Sequence, residues 1–319
     1  MIPIKIHIVL NPSSAAGNTG KHKDEILALL SRSFTFPMSV CITRAPLEAT
    51  ASVRAAIQDG AELIIAVGGD GTVQEVVNGF FIDGKMQKQV RLGVISSGTA
   101  QDVAKNLGLP RTLEQQIQVV AGEKDRAIDI GRVEYSDLTG NRIERFFINE
   151  CQAGIAAVVV KRVLQKHKRF GGFLGFGLVA VSTLTTYHSH RVTVTVDDTP
   201  VPVDTVLGVV VANGNYAGGG MCFAPKARVD DGIFDVVIIH DMKTLSRLMN
   251  FPKIYLGKHI NLPAITYRHG KHVTITSPEE VLVEADGELL GMLPITVDLI
   301  PSALMLKTSV IGSALHGDS

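Results

Sequence analysis

Apolar and polar positions alternate from the first residues, with Ile4, Ile6, Ile8 and Leu10 on one face of a predicted strand. The next stretch, Asn11-Pro12-Ser13-Ser14-Ala15-Ala16-Gly17-Asn18-Thr19-Gly20, holds only small or turn-forming residues, so that strand ends in a loop. Ile26, Leu27, Leu29 and Leu30 mark a helix, a short strand falls near Val40 to Thr43, and a helix from about Pro46 to Asp59 is stopped by Gly60. Five apolar residues, Leu63-Ile64-Ile65-Ala66-Val67, then read as a fully buried strand. It runs into Gly68-Gly69-Asp70-Gly71-Thr72, a turn almost without side-chain bulk. Val73, Val76, Val77 and Phe80 recur at i, i+3, i+4 and i+7, and Thr72 with Glu75 predicts a capping box at the head of that helix. Arg91 to Ile95 gives a fourth strand, Ser96-Ser97-Gly98-Thr99 a second small loop, and Asp102 to Leu107 a helix ended by Gly108 and Pro110.

The repeated unit is strand, loop, helix, which predicts a parallel sheet with helices on both faces. In open sheets of this kind ligands sit outside the carboxyl ends of the strands, so the loops of Asn11, Asp70 and Thr99 are expected on one rim. Unpaired backbone N–H groups at a helix start attract anions, and glycine lets a phosphate reach the main chain without meeting a Cβ. The polyphosphate of a nucleotide suits such a turn. A Rossmann fingerprint would need a third glycine where Gln74 stands, and no G-x-x-x-x-G-K-[ST] occurs, so neither of those motifs applies.

After Asp129 the texture changes and helical pattern becomes rare. Strand-like runs fall at Phe146 to Asn149, Val192 to Val196, Thr205 to Ala212, Ile233 to Ile239, Val273 to Thr276, Val281 to Glu284 and Ile295 to Ile300. Divided by Asp, Pro and Gly turns, they predict an antiparallel, sandwich-like second domain over 131–300. The α/β domain then covers 1–130, with the segment 301–319 expected to pack back on it. One insert interrupts the β-rich half: Phe170 to Tyr187 carries no charge, and Lys161, Arg162, Lys166, Lys168 and Arg169 precede it. Four glycines and the Ser182-Thr183-Leu184-Thr185-Thr186 end make it a poor membrane span. Two readings stay open, a contact with an anionic lipid surface or acyl chain, and a buried helix beside a solvated basic turn.

At 319 residues the chain exceeds the usual size of a single core. Its 31 basic and 31 acidic residues cancel, which argues against a nucleic-acid partner. Cys41, Cys151 and Cys222 are odd in number, far apart and without metal-ligand spacing, which favours a reducing compartment. The N-terminal segment lacks the apolar region of a signal peptide, so a cytoplasmic location is expected.

Several motifs, in one order, carry a resemblance. They are Asn11-Pro12, Gly68-Gly69-Asp70-Gly71-Thr72, Ser97-Gly98-Thr99-Ala100-Gln101-Asp102-Val103-Ala104, Asn213-Gly214-Asn215-Tyr216-Ala217-Gly218-Gly219-Gly220, Ala224-Pro225, Asp230-Asp231-Gly232 and Asp286-Gly287-Glu288. The chain resembles the bacterial lipid kinases of the diacylglycerol kinase and sphingosine kinase superfamily over nearly its whole length. The Gly-Gly-Asp segment is shared with NAD kinases and phosphofructokinases, whereas the later strings resemble the lipid kinases alone. The resemblance implies two lobes and transfer of the ATP γ-phosphoryl group to a lipid hydroxyl, with ATP and Mg²⁺ as cofactors.

By that resemblance Gly68, Gly69, Asp70, Gly71, Thr72, Val73 and Gln74 hold the phosphates, Asn11 opens the neighbouring loop, and Thr43 and Thr99 complete the ATP pocket. Asp70 and Asp102 lie near the reacting phosphate and its Mg²⁺; a carboxylate among glycines tolerates phosphate only with a cation between them. Glu288 is the expected general base, supported by Asp286, although Asp-Gly is equally the favoured centre of a tight hairpin. A second, structural cation is implied at the Asp231 carboxylate and the main-chain carbonyls of Arg228 and Ile233, with Asp129 approaching; a plain Asp-Asp-Gly turn reads as well. Two departures stand out. Gln101 occupies the family's usual asparagine position, and the first loop is longer than usual, which leaves Lys21 as the candidate basic residue. The expected partners are a lipid substrate, a peripheral membrane surface and a second copy of the chain. The alternatives are a kinase for a soluble acceptor such as NAD and a nucleotide- or lipid-binding regulator without catalysis.

Overall fold

The computed structural model describes residues 5–87, 90–97, 101–137, 139–166 and 173–309. The chain divides into two units, Met1–Asp129 with Ser302–Ser319, and Ile130–Pro301. In the first unit strands and helices alternate: β1 (Ile6–Leu10), α1 (Lys23–Ser33), β2 (Met38–Ile42), α2 (Glu48–Gln58), β3 (Leu63–Gly68), α3 (Asp70–Gly79), β4 (Arg91–Ser96), α4 (Asp102–Asn106) and α5 (Leu113–Ala121). The strands are parallel in the order β2-β1-β3-β4. Chain order therefore reverses between β1 and β3, and their carboxyl ends form the crevice where open α/β sheets take ligands.

Both faces of this sheet are covered, which explains the unbroken apolar run of β3. Ile8, Leu10, Ile65, Val67 and Ile95 pack against Ile26 and Leu30 of α1 and Ile117 and Val120 of α5. Toward α2 and α3 the buried residues are Ala49, Val53, Ile57, Val73, Val76 and Val77. A Cβ on Gly79 would lie 2.6 Å from that of Val53, so glycine sets the approach of these two helices. The sheet gains a further parallel strand from Met305 and Leu306, which register with Arg91 and Leu92.

The second unit contains most of β5 (Asp125–Ser136), then β6 (Arg142–Phe147), β7 (Glu150–Gly154), α6 (Ile155–Lys166), α7 (Phe173–Thr186), β8 (Thr193–Val196), β9 (Thr199–Val201), β10 (Thr205–Ala212), β11 (Phe234–His240), α8 (Thr244–Tyr255), β12 (Ile265–Gly270), β13 (His272–Thr276) and β14 (Leu282–Ala285). Last comes β15 (Glu288–Lys307). An antiparallel layer runs β12-β11-β10-β7-β14-β15. β15 leaves it midway: its first residues pair with β14, whereas Ile295 to Asp298 pair with β13, which in turn pairs with β8. Alternate residues from the two sides, among them Val209, Val211, Phe234, Val236, Val194, Val273, Ile275 and Val297, fill one apolar core.

Three local expectations are corrected. The Thr72–Glu75 capping box does not form, because α3 begins two residues earlier at Asp70, with Gly69 as the residue before it and no side-chain cap. Helix α6 follows β7 directly, although its Ile155-Ala156-Ala157-Val158-Val159-Val160 start is β-branched, so tertiary packing overrides local preference here. Helix α8 occupies a stretch where helical pattern reads as rare and no helix is placed, and it accommodates Pro252 near its end. The uncharged insert is helical over Phe173–Thr186, and its first residues lie outside the described ones. Among the described residues no helix is long and apolar enough to cross a membrane.

Candidate active site

In the first unit, Asn11 and the Gly68–Thr72 turn meet at the carboxyl ends of β1 and β3. Asn11 Nδ2 donates to Thr72 Oγ1 at 3.1 Å, while Asn11 Oδ1 accepts the Ser13 N–H at 3.0 Å. Ser14 Oγ lies 3.3 Å from Thr72 Oγ1 and accepts the Gly69 N–H at 3.2 Å. Thr19 Oγ1 and Ser97 Oγ are 2.7 Å apart, and the Ser97 N–H donates to Gly68 O. Small hydroxyl side chains thus brace the turn from two neighbouring loops. Gly71 is exposed, and a Cβ placed on it would meet nothing within 4 Å. The Thr72 and Val73 N–H groups already donate to Gly69 O at 3.0 and 3.2 Å, so within the first turn of α3 it is the Gly71 backbone that is left open to an anion.

Strain gathers in these loops. Ala15, Ala16 and Gln101 have φ near +54°, a left-handed conformation that non-glycine residues rarely hold. Gln101 also ends up at the start of α4 with no capping bond of its own. Asp70 supplies the missing acceptor: its two carboxylate oxygens take the N–H groups of Asp102 and Val103, each at 3.2 Å. Asp102 itself is 3% exposed and pairs with Lys105 Nζ at 3.2 Å. Burial first, and the Asp102 charge second, push the Asp70 carboxyl above its ordinary range. Two crowded carboxyl groups beside an open helix start fit a divalent cation with bound phosphate, whose positive charge would offset their mutual repulsion.

The remaining nucleotide candidates are placed as follows. Val73 and Gln74 are buried in α3, so their side chains contribute to packing, and the Val73 N–H already donates to Gly69 O at 3.2 Å. Thr43 is buried with its N–H on Leu10 O, at the end of β2. Lys21 is exposed at the end of a short helical turn, Asn18–Lys21. Thr99 lies outside the described residues.

In the second unit, Asp286 and Gly287 form the two-residue hairpin between β14 and β15, with φ of +47° and +83°. The Asp286 carboxylate takes the N–H groups of Ile148, Asn149 and Glu150 at 2.8, 2.9 and 3.1 Å. It is a backbone clamp. Glu288, one residue past the turn, is one-third exposed and accepts from Arg145 Nη2 at 3.3 Å. Its position at a rigid turn with an open face suits proton transfer.

The Asp231 segment forms a turn in which Asp231 Oδ1 accepts the Ile233 N–H at 3.3 Å, while Arg228 pairs with Asp230. Asp231 is exposed and Gly232 has φ of +73°. Asp129 accepts the Ser302 N–H at 2.7 Å. Among the described residues no three His, Cys, Asp or Glu side chains gather as a metal-binding group. Sequence reasoning passed over Ser14, Thr19 and Ser97, whose signal was the run of small hydroxyl residues in the loops themselves. It also passed over Arg145.

A glycine-rich turn on a parallel α/β sheet in one unit and a β-sandwich carrying an acidic hairpin in the other make up the chain, a fold shared with the crystal structure of yeast NADH kinase at a TM-score of 0.58 and 13% identity, over 98% of this chain and 85% of the other. Residues 5–133 match the diacylglycerol kinase catalytic domain, and residues 149–308 match the YegS C-terminal NAD kinase beta sandwich-like domain. The chain belongs to this diacylglycerol kinase and YegS-type family. It is 28% identical over 292 residues to a diacylglycerol kinase of Staphylococcus carnosus, covering 91% of this chain and 90% of that one. A diacylglycerol kinase of Bacillus subtilis is 29% identical over 291 residues, 91% of each chain. The crystal structure of a Bacillus anthracis diacylglycerol kinase shares the fold, with a TM-score of 0.70 at 20% identity over 96% of this chain and 97% of the other.

Proposed function

We propose that this protein is a lipid kinase that transfers the γ-phosphoryl group of Mg·ATP to the hydroxyl of a diacylglycerol, a sphingoid base or a related lipid alcohol. The observation that carries the reading is the open, braced helix start at Gly71 beside the Asp70–Asp102 pair. The open backbone at Gly71 would receive a phosphate oxygen, and Asp70 and Asp102 would hold the magnesium, which would neutralise phosphate charge. Glu288 takes the proton of the lipid hydroxyl as the oxygen forms its bond to phosphorus and the bond to the ADP oxygen breaks. Phosphoryl transfer depends mainly on positioning and charge neutralisation, so loss of Glu288 lowers turnover more than nucleotide affinity.

The test is transfer of labelled γ-phosphate from Mg·ATP to a panel of lipids in mixed micelles, with NAD as a soluble acceptor in parallel. Label in lipid and none in NAD supports the reading. Label in NAD without lipid or detergent replaces it with a soluble-acceptor kinase, and ATP binding with no transfer to any acceptor replaces it with a regulator.

A further inference from the structure

Two glutamates that neither the motifs nor the proposed chemistry use lie directly under the Asp286–Gly287 hairpin. Glu150 begins β7 and is 3% exposed; Glu284 lies in β14 and is 2% exposed. Their strands are adjacent, with Glu284 in register with Gln152 and Ala285 with Cys151. The two carboxyl groups hydrogen bond to each other, and Gln152 bonds to Glu150. Glu284 Oε2 accepts the Gly287 N–H at 2.9 Å, while the Glu150 backbone exchanges hydrogen bonds with Asp286 in both directions. Glu150 Oε2 is buried without a hydrogen-bond partner.

Two carboxylates in contact inside a protein repel strongly, and desolvation penalises each charge. A proton between them removes both costs and turns one acid into a donor for the other. The roles follow from the contacts. Glu284 already accepts an N–H and is the acceptor of the pair. Glu150, with a buried oxygen that accepts from no donor, is the neutral acid, because an ionised oxygen left without a donor in the interior costs far more than a neutral one. The charged groups acting on the pair are the two acids themselves and Asp286. Cys151 is the titratable neighbour on β7; β10 places Ala212 opposite Glu150 and Val210 opposite Gln152.

We propose that Glu150 and Glu284 act as one positioning unit, in which Glu150 donates its proton to Glu284, and Glu284 holds the Gly287 amide and so fixes the aim of Glu288. Neither residue touches substrate. The unit adds a positioning requirement to the kinase reading above and rests on it for its kinetic arm alone. Burial first, and the neighbouring acids after it, raise both carboxyl groups above their ordinary range. A carboxyl held high in the folded state contributes stability that is complete below its ordinary value of 4.5 and is lost as pH rises through the folded value. The hairpin should therefore loosen on the alkaline side.

The experiment compares the full-length parent with Glu150→Gln and Glu150→Ala in three measurements. Infrared difference spectra at neutral pH should contain a protonated carboxyl band in the parent that Glu150→Gln weakens. Thermal midpoints followed from neutral to alkaline pH should fall in the parent and fall less steeply in Glu150→Gln, whose amide donates to Glu284 and has no proton to lose, so that Glu284 is the one titrating acid left in the pair. With lipid and Mg·ATP, Glu150→Ala should lose on the order of 10- to 100-fold in kcat at an unchanged ATP KM. Glu150→Gln should restore most of that rate and extend it to higher pH. A parent without the band, or a Glu150→Gln variant with the parent's alkaline decline in midpoint, overturns the proposal. A parent that labels no lipid overturns the kinase reading while the spectroscopic and thermal arms still decide this one.

Discussion

Asp70 and Asp286 each sit beside glycine in a tight turn, one in each unit, and both bind backbone N–H groups with both carboxylate oxygens. The resemblance assigned each of them to the chemistry. Their surroundings separate them. Asp286 takes three N–H groups from one short segment, 148–150, and serves as a clamp. Asp70 takes two, from the start of α4, and stands beside a second buried carboxyl and an open helix start. A carboxylate in a glycine turn has the local backbone as its first partner, and what remains for a ligand depends on how many N–H groups that backbone presents.

The largest effect should come from Asp286→Ala, which leaves three donors without their acceptor and should destabilise the protein by about 3–5 kcal/mol in urea unfolding. An unchanged unfolding midpoint would end the clamp reading. Glu288→Gln should act oppositely, lowering kcat by roughly 10²- to 10³-fold while moving stability by less than about 0.5 kcal/mol. Gly71→Val should raise the ATP KM by about tenfold with no loss of thermal midpoint, since the added side chain fills open space at the helix start and valine is no worse than glycine in a helix. If nucleotide binding were unaffected, the phosphate would have to lie elsewhere.

A subtler contrast concerns proton affinity. The Asp70 carboxyl should titrate above 3.8 in carbon-detected NMR, so its stabilising contribution is complete below 3.8 and declines as pH rises through the folded value. Asp102→Asn removes the neighbouring charge and should draw that midpoint down. The smallest effect should come from Gln101→Asn. Asparagine holds a left-handed backbone more readily than glutamine, so stability should rise by about 0.5 kcal/mol with turnover within about twofold.

The strands of the first unit, and the rim shared by the Asn11 and Asp70 loops, were legible because a parallel sheet covered on both faces demands uninterrupted apolar runs such as Leu63 to Val67. The hairpin at Asp286–Gly287 was legible because those two residues carry positive φ readily. Other features depend on what is adjacent in space. The start of α3 was misplaced because Thr72 looks like a cap, yet its hydroxyl is taken by Asn11, sixty-one residues away. Helix α8 was missed because it leaves Leu245 and Met249 exposed and so lacks a clean one-sided apolar pattern. Glu150 and Glu284 are 134 positions apart, and nothing in either local stretch announces that two acids will meet in an interior.

The course of β15 also bears on biosynthesis. Its opening residue is the acid proposed to receive the proton, yet its closing residues complete the sheet of the other unit, where Lys307 pairs with Asp125 at 3.0 Å and donates to Gly122 O at 2.7 Å. On a translating ribosome, residues 5–129 emerge long before this strand exists. The early half must then wait with one sheet margin bare until all of 130–301 has been made, a delay in which margin pairing between nascent chains competes with folding. A fragment ending near residue 130 should reproduce that vulnerable stage, and a peptide spanning 302–308 supplied in trans should relieve it.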